Sequence, residues 1–149
     1  MRRRGFTLVE LLVAVAIITI IASIVIPIVC KDIQPSREAA AIQQIRVIHT
    51  AQTQYYTEYG RHATMLSELG PPAGEIGSNG ANLIPRDLAI GKKSGYLFQV
   101  RATRGGYSIT ANPEVFGSSG RRCFYSDQTT VIHENWGPEP ATAANAAIK

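Results

Sequence analysis

Residues 1–29 read Met1-Arg-Arg-Arg-Gly-Phe-Thr-Leu-Val-Glu10-Leu-Leu-Val-Ala-Val-Ala-Ile-Ile-Thr-Ile20-Ile-Ala-Ser-Ile-Val-Ile-Pro-Ile-Val29, and this stretch decides how the rest of the chain is understood. Three arginines precede a run from Leu11 to Val29 that holds no charge, with Thr19 and Ser23 as its polar side chains. As a helix, such a run rises about 29 Å, the thickness of a bilayer's hydrocarbon. The basic cluster before it predicts a cytoplasmic N-terminus, with the remaining chain on the far side of the membrane. A cleavable secretory signal has a shorter apolar region and a small-x-small cleavage site. Here Ile28 and Val29 precede Cys30, which fits neither that signal nor acylation of Cys30.

Glu10 is the residue that a plain anchor leaves unexplained. A carboxylate within an apolar span costs about 2.5–3.5 kcal/mol at the bilayer centre and less toward the ends. Such a group calls for a partner, or for a place at headgroup depth where the helix dipole relieves it.

The string Arg4-Gly5-Phe6-Thr7-Leu8-Val9-Glu10-Leu11 resembles the N-terminal signal of type IV prepilins and type II secretion pseudopilins. The resemblance implies that a prepilin peptidase cuts between Gly5 and Phe6 and methylates the new amine of Phe6. It implies that Glu10, at the fifth mature position, pairs with the Phe6 amine of a neighbouring subunit. Pro27 falls where many of these proteins carry a helix-bending proline. Physical reasoning agrees: cleavage leaves a cation at a helix N-terminus, where the dipole disfavours it, and a nearby carboxylate offsets the charge. Sequence alone leaves an intramolecular Glu10–Phe6 pair open.

Pro27 and Pro35 each remove a backbone donor and are expected to bend or locally melt the helix, with Ser36 able to start a fresh segment. Beyond them Ala41, Ile45, Ile48, Gln52, Tyr55 and Tyr59 recur at spacings of three and four, predicting one packed helix face. Gly60 supplies the C-terminal cap. The long helix is therefore expected over about Thr7 to Tyr59. Thr64 to Leu69 and Arg86 to Ile90 suggest short helical pieces. The stretch from Gly74 to Gly80 reads as loop. Tyr96 to Ala102 and Tyr107 to Ala111 flank a turn at Arg104-Gly105-Gly106 and predict a hairpin. Two further strands are expected at Arg122 to Tyr125 and Thr130 to His133, around a turn at Ser126-Asp127-Gln128. Gly106 to Ala111 and Cys123 to Thr129 also resemble the C-terminal sheet of pseudopilin-like proteins.

The fold class expected is α+β: a pilin-like long N-terminal helix, its first half transmembrane, packed on a small antiparallel sheet. The organisation is a leader at 1–5, a membrane and filament-core helix at 6–29, and an amphipathic half at 30–60. A small globular domain at 61–136 and a flexible, poorly packed tail at 137–149 complete it.

The net charge of +4 comes from 15 basic and 11 acidic residues, and Arg2, Arg3 and Arg4 supply most of the excess. From Gly60 onward nine basic face seven acidic side chains, so no nucleic-acid partner is expected. Lys92-Lys93 and Arg121-Arg122 read as solvated turn and strand residues. His49, His62 and His133 are scattered and read as structural. No motif calls for a cofactor, a metal or an enzymatic role; Asp127 reads as an Asx-turn residue rather than a calcium ligand. Tyr55, Tyr56 and Tyr59 read as helix–sheet packing. The two cysteines, Cys30 and Cys123, lie in different parts of the chain and read as separate thiols.

The resemblance implies a structural filament subunit, inserted in the bacterial inner membrane with its C-terminal domain periplasmic. Its partners would be prepilin peptidase, like or identical subunits, the inner-membrane assembly platform and the lipid bilayer. The lack of a C-terminal cysteine pair favours a secretion pseudopilin over a type IV pilus pilin. The alternative of a different class is an uncleaved, membrane-anchored periplasmic binding domain.

Overall fold

The computed structural model describes residues 6–148, without the side chains of 24–32. A helix α1, Leu8–Tyr59, is followed by two single-turn helices, α2 (Leu66–Leu69) and α3 (Arg86–Ala89). Six strands follow: β1 (Lys92–Lys93), β2 (Tyr96–Thr103), β3 (Gly106–Pro113), β4 (Cys123–Asp127), β5 (Ile132–Asn135) and β6 (Ala146–Ala147). The chain divides into two compact units, Met1–Ile33 and Gln34–Lys149. The arrangement is α+β and pilin-like, a long N-terminal helix with an antiparallel sheet.

In the first unit the helix is apolar on every side, and Leu11, Leu12, Ile18 and Ile20 are all exposed. Thr19 Oγ1 and Ser23 Oγ donate to the carbonyls of Ala16 and Ile20 at 2.8 and 2.7 Å, so neither hydroxyl needs a partner from outside the helix. Among the described residues no helix is long and apolar enough to cross a membrane. The span expected at 11–29 continues into positions 24–29, whose side chains, Pro27 among them, lie outside the described residues. Helix α1 passes through Pro35 as one element, so no fresh helix begins at Ser36.

The second unit is built on the stripe. Ala41, Ile45, Ile48, Gln52 and Tyr55 are fully buried, and Tyr59 packs partly against the same core. Burying each Ile or Tyr removes enough apolar surface from water to contribute about 1.5–3 kcal/mol. Gln52 belongs on the stripe because its amide is fully used. Its Nε2 donates to Ala63 O at 3.0 Å and its Oε1 accepts from Ala63 N at 2.9 Å, clipping the chain that leaves the helix. Gly60 ends α1 in the left-handed conformation, φ +67°, and its N–H reaches Tyr56 O at 2.9 Å. An L-residue with a side chain strains there, which is why glycine stands at the turn.

The sheet is an antiparallel meander in the order β1-β2-β3-β4-β5-β6. The hairpin pairs Thr103 with Gly106 across Arg104-Gly105, and the register runs back to Tyr96 opposite Pro113. Alternation in β2 sends Tyr96, Phe98 and Val100 inward and Leu97, Gln99 and Arg101 outward. Ile109, Ala111, Phe124 and Ile132 complete the inner face.

Three expectations are corrected here. The turn after β4 is shifted toward the C-terminus, with Gln128 and Thr129 at its centre and Thr130 N–H on Asp127 O at 2.9 Å: Ser126 is a fully buried strand residue, and Thr130 takes the positive φ of +64°. The C-terminal stretch is not a poorly packed tail. Ala146 and Ala147 pair with Glu134 and His133, Ala141 is buried, and Ile148 packs on the core with its N–H on Ile132 O. Pairing with a neighbouring edge overrides the weak strand propensity of alanine. The tyrosines also divide. Tyr55 is buried and its hydroxyl donates to Ser78 O at 2.6 Å, in the connection after α2, whereas Tyr56 is exposed.

Candidate functional site

The N-terminal site begins with a cap. Glu10 N donates to Thr7 Oγ1 at 3.2 Å, and Thr7 Oγ1 donates to Glu10 Oε2 at 3.3 Å. Leu11 N closes the first helical turn on Thr7 O at 3.2 Å. Thr7 is thus the N-cap and Glu10 the third helical residue, the spacing of a capping box. Thr7-Leu8-Val9-Glu10 carries that signal in the sequence, and the motif alone does not draw attention to Thr7. The arrangement holds the Glu10 carboxylate at the positive end of the helix dipole while leaving it exposed. Phe6, one residue before the cap, is 75% exposed. Gly5, on the other side of the expected cleavage point, lies outside the described residues. An amine on Phe6 would add a cation to a helix end already short of acceptors. The adjacent carboxylate is the group suited to receive such a cation.

Elsewhere several titratable groups are engaged in structure. His49 is buried between Tyr107 Oη, 2.6 Å from Nδ1, and Ser126 Oγ, 2.8 Å from Nε2. Ser126 Oγ donates to Val131 O at 2.8 Å, so it accepts from His49 Nε2–H, and Nδ1 accepts from Tyr107. Burial holds the His49 imidazole below its ordinary pKa, partly offset by the Asp127 charge. Burial also raises the Tyr107 phenol. The constellation resembles a hydrolytic dyad by residue type only. Ser126 is fully buried and its proton is committed to a backbone carbonyl. What the triad of side chains does is hold α1 on the sheet.

Asp127 makes the expected Asx turn: Thr129 N and Oγ1 both donate to its Oδ1, at 2.9 and 2.6 Å. Those bonds lower its pKa. Among the described residues no cluster of His, Cys, Asp and Glu could hold a metal ion. Cys123 is a free, buried thiol, shifted upward by burial, and the side chain of Cys30 lies outside the described residues. His133 Nδ1 lies 2.8 Å from Asn145 O, pinning the C-terminal strand.

The largest departure from the sequence reading is Arg122. It is not solvated: its Nε donates to Glu38 Oε2 and its Nη1 to Glu134 Oε2, each at 2.8 Å. Glu38 Oε1 also accepts from Arg121 N at 2.8 Å. Glu38 is 6% exposed, a near-buried carboxylate on α1 that no local pattern reveals because its partner lies 84 positions away. The other basic pair is tied more loosely, Lys92 to Glu114 and Lys93 to Asp87.

An exposed, capped carboxylate thus stands one turn into an apolar helix, joined in sequence to a small α+β unit. Residues 1–26 match the prokaryotic N-terminal methylation motif. The type IV major pilin protein PilA of Myxococcus xanthus (strain DK1622) is 39% identical over 69 residues, which are 46% of this chain and 31% of that protein. The match thus spans less than a third of that relative's length. No solved structure matches the chain.

Proposed function

We propose that this chain is a non-enzymatic structural subunit of a type IV pilus-like filament, cut after Gly5, methylated on Phe6 and drawn from the inner membrane. The observation that carries the reading is the exposed Glu10 carboxylate held by Thr7 at the start of an all-round apolar helix. In the membrane that helix is solvated by lipid. In a filament it is solvated by like helices, so apolar burial is kept and Glu10 gains the Phe6 amine of a neighbouring subunit. Such a pair is strong in low dielectric, and its failure leaves a buried charge, so it sets axial register. Prepilin peptidase, sister subunits and an inner-membrane assembly platform are the partners this implies.

Similarity to a major pilin supports a pilus as the filament. A secretion pseudopilus is the second reading, favoured by the single cysteine, Cys123, in the C-terminal part. Deleting the gene separates them: surface filaments are lost in the first case, export of folded proteins in the second. Glu10→Ala tests the shared claim. It should leave membrane insertion and cleavage largely intact and abolish or sharply reduce filaments; normal filaments from this variant would remove the role assigned to Glu10.

A further inference from the structure

Of the exposed aromatic and aliphatic side chains of the second unit, Val115, Phe116 and Trp136 lie on segments tied to the end from which residue 34 departs. Gln34 Nε2 donates to Gly117 O, fixing the 114–120 loop beside the start of this unit. The same loop carries Val115 and Phe116, 57% and 43% exposed. Four residues further along α1, Glu38 holds Arg121 N and the Arg122 guanidinium. That guanidinium lies 5.0 Å over the ring of Trp136, which is 67% exposed. Trp136 Nε1 donates to Glu134 Oε1 at 3.2 Å, so the indole is held at this end by its polar atom. Among the described residues neither Arg37 nor Arg121 has an ion-pair partner.

The tether is short. Gln34 stands five positions after Val29, where the apolar run ends. Positions 29–34 lie within helix α1, where five residues rise about 8 Å. The headgroup zone is about 5–8 Å deep on each side of the hydrocarbon. Whatever the direction in which the unit leaves the bilayer, its residue 34 end stays within or just above that zone. Tryptophan and other aromatics collect at this depth because the ring is apolar and the N–H is satisfied by water or headgroups.

We infer that Val115, Phe116 and Trp136, flanked by Arg37 and Arg121, form an interfacial surface that seats the domain in the headgroup zone of the bilayer before assembly. The inference rests on the membrane insertion of residues 11–29 given under Proposed function. It adds a second lipid contact that extraction into a filament must break.

Trp136 is the one tryptophan of the chain, so the native protein carries its own probe. The full-length chain is reconstituted into phosphatidylcholine vesicles with and without a lipid bearing a spin label on its headgroup. Flotation reports insertion, and Trp136 emission reports depth. The expected result is co-flotation with loss of about half the emission to the headgroup label, as befits an indole at the interface. Val115→Ser with Phe116→Ser should still float and should lose much of that quenching. Co-flotation with unquenched Trp136, or quenching indifferent to the double substitution, overturns the interfacial surface and leaves insertion standing. A chain that fails to float overturns both.

Discussion

Removing the charge of Arg122 while keeping its bulk, as Arg122→Met, isolates the ion network that joins α1 to the sheet. In the native fold one guanidinium serves two carboxylates, Glu38 and Glu134, at 2.8 Å each. The Glu38 side chain is 8% exposed and that of Glu134 18%. Without Arg122, Glu38 keeps the N–H of Arg121 and loses its counter-charge in a site that water barely reaches. Breaking a buried pair from one side costs about 3–5 kcal/mol, and the partial exposure of Arg122 puts the expected loss near the lower figure, about 3 kcal/mol. Against a domain stability of about 5–15 kcal/mol this is a large fraction. The assay is urea unfolding of the full-length chain in detergent micelles, followed by the near-ultraviolet circular dichroism of the buried tyrosines. Glu38→Gln combined with Arg122→Met should recover about half of the loss, since only the more exposed Glu134 then lacks its counter-charge. A single Arg122→Met variant within about 0.5 kcal/mol of the parent, the range of surface pairs, would refute the reasoning.

Three further outcomes follow from the same structure. The His49 imidazole is held below its ordinary pKa by burial, so the unfolded chain binds a proton first as pH falls. The stabilisation is complete above about pH 6.5 and is lost as pH drops below it, by up to about 1.4 kcal/mol per pH unit; His49→Gln should flatten that dependence in melts taken from pH 7.5 to 5.5, and an unchanged slope counts against it. Tyr55→Phe removes a hydroxyl bonded to Ser78 O and Glu68 Oε2. It should cost about 1–2 kcal/mol in the same unfolding assay; no loss would mean the Ser78 connection is not anchored through that hydroxyl. A Cβ at Gly120 would lie 2.1 Å from the hydroxyl oxygen of Tyr96, a fully buried ring. Gly120→Ala is therefore expected to destabilise by about 2–3 kcal/mol through overpacking, and a neutral result would mean the ring can move.

Much of the helix and sheet is legible in the sequence because the signals are local. The stripe from Ala41 to Tyr59 repeats the helical period, and every position from Ala41 to Tyr55 on it is fully buried. Gly60 marks the helix end through its positive φ, and Arg104-Gly105 marks the hairpin through its turn chemistry. At the N-terminus, the prepilin-like string singles out Phe6 and Glu10, and the cap on Thr7 shows how the carboxylate is held. What sequence reading misses is non-local. Arg122 looks solvated until Glu38 arrives from the other end of the domain. His49 looks incidental until the fold brings Tyr107 and Ser126 to its two nitrogens. The pairing of Ala146 and Ala147 with β5 has no propensity signal, because an edge strand supplies the hydrogen bonds that composition does not announce.

The most direct test of the central claim is intact-protein and N-terminal peptide mass spectrometry on the protein isolated from cells with their own processing machinery. A mature chain beginning at N-methylated Phe6 is the expected result, and it would make filament assembly through Glu10 the working model. A chain that retains Arg2 to Gly5, or one that begins at a lipidated Cys30, would contradict the account and leave an anchored domain in its place.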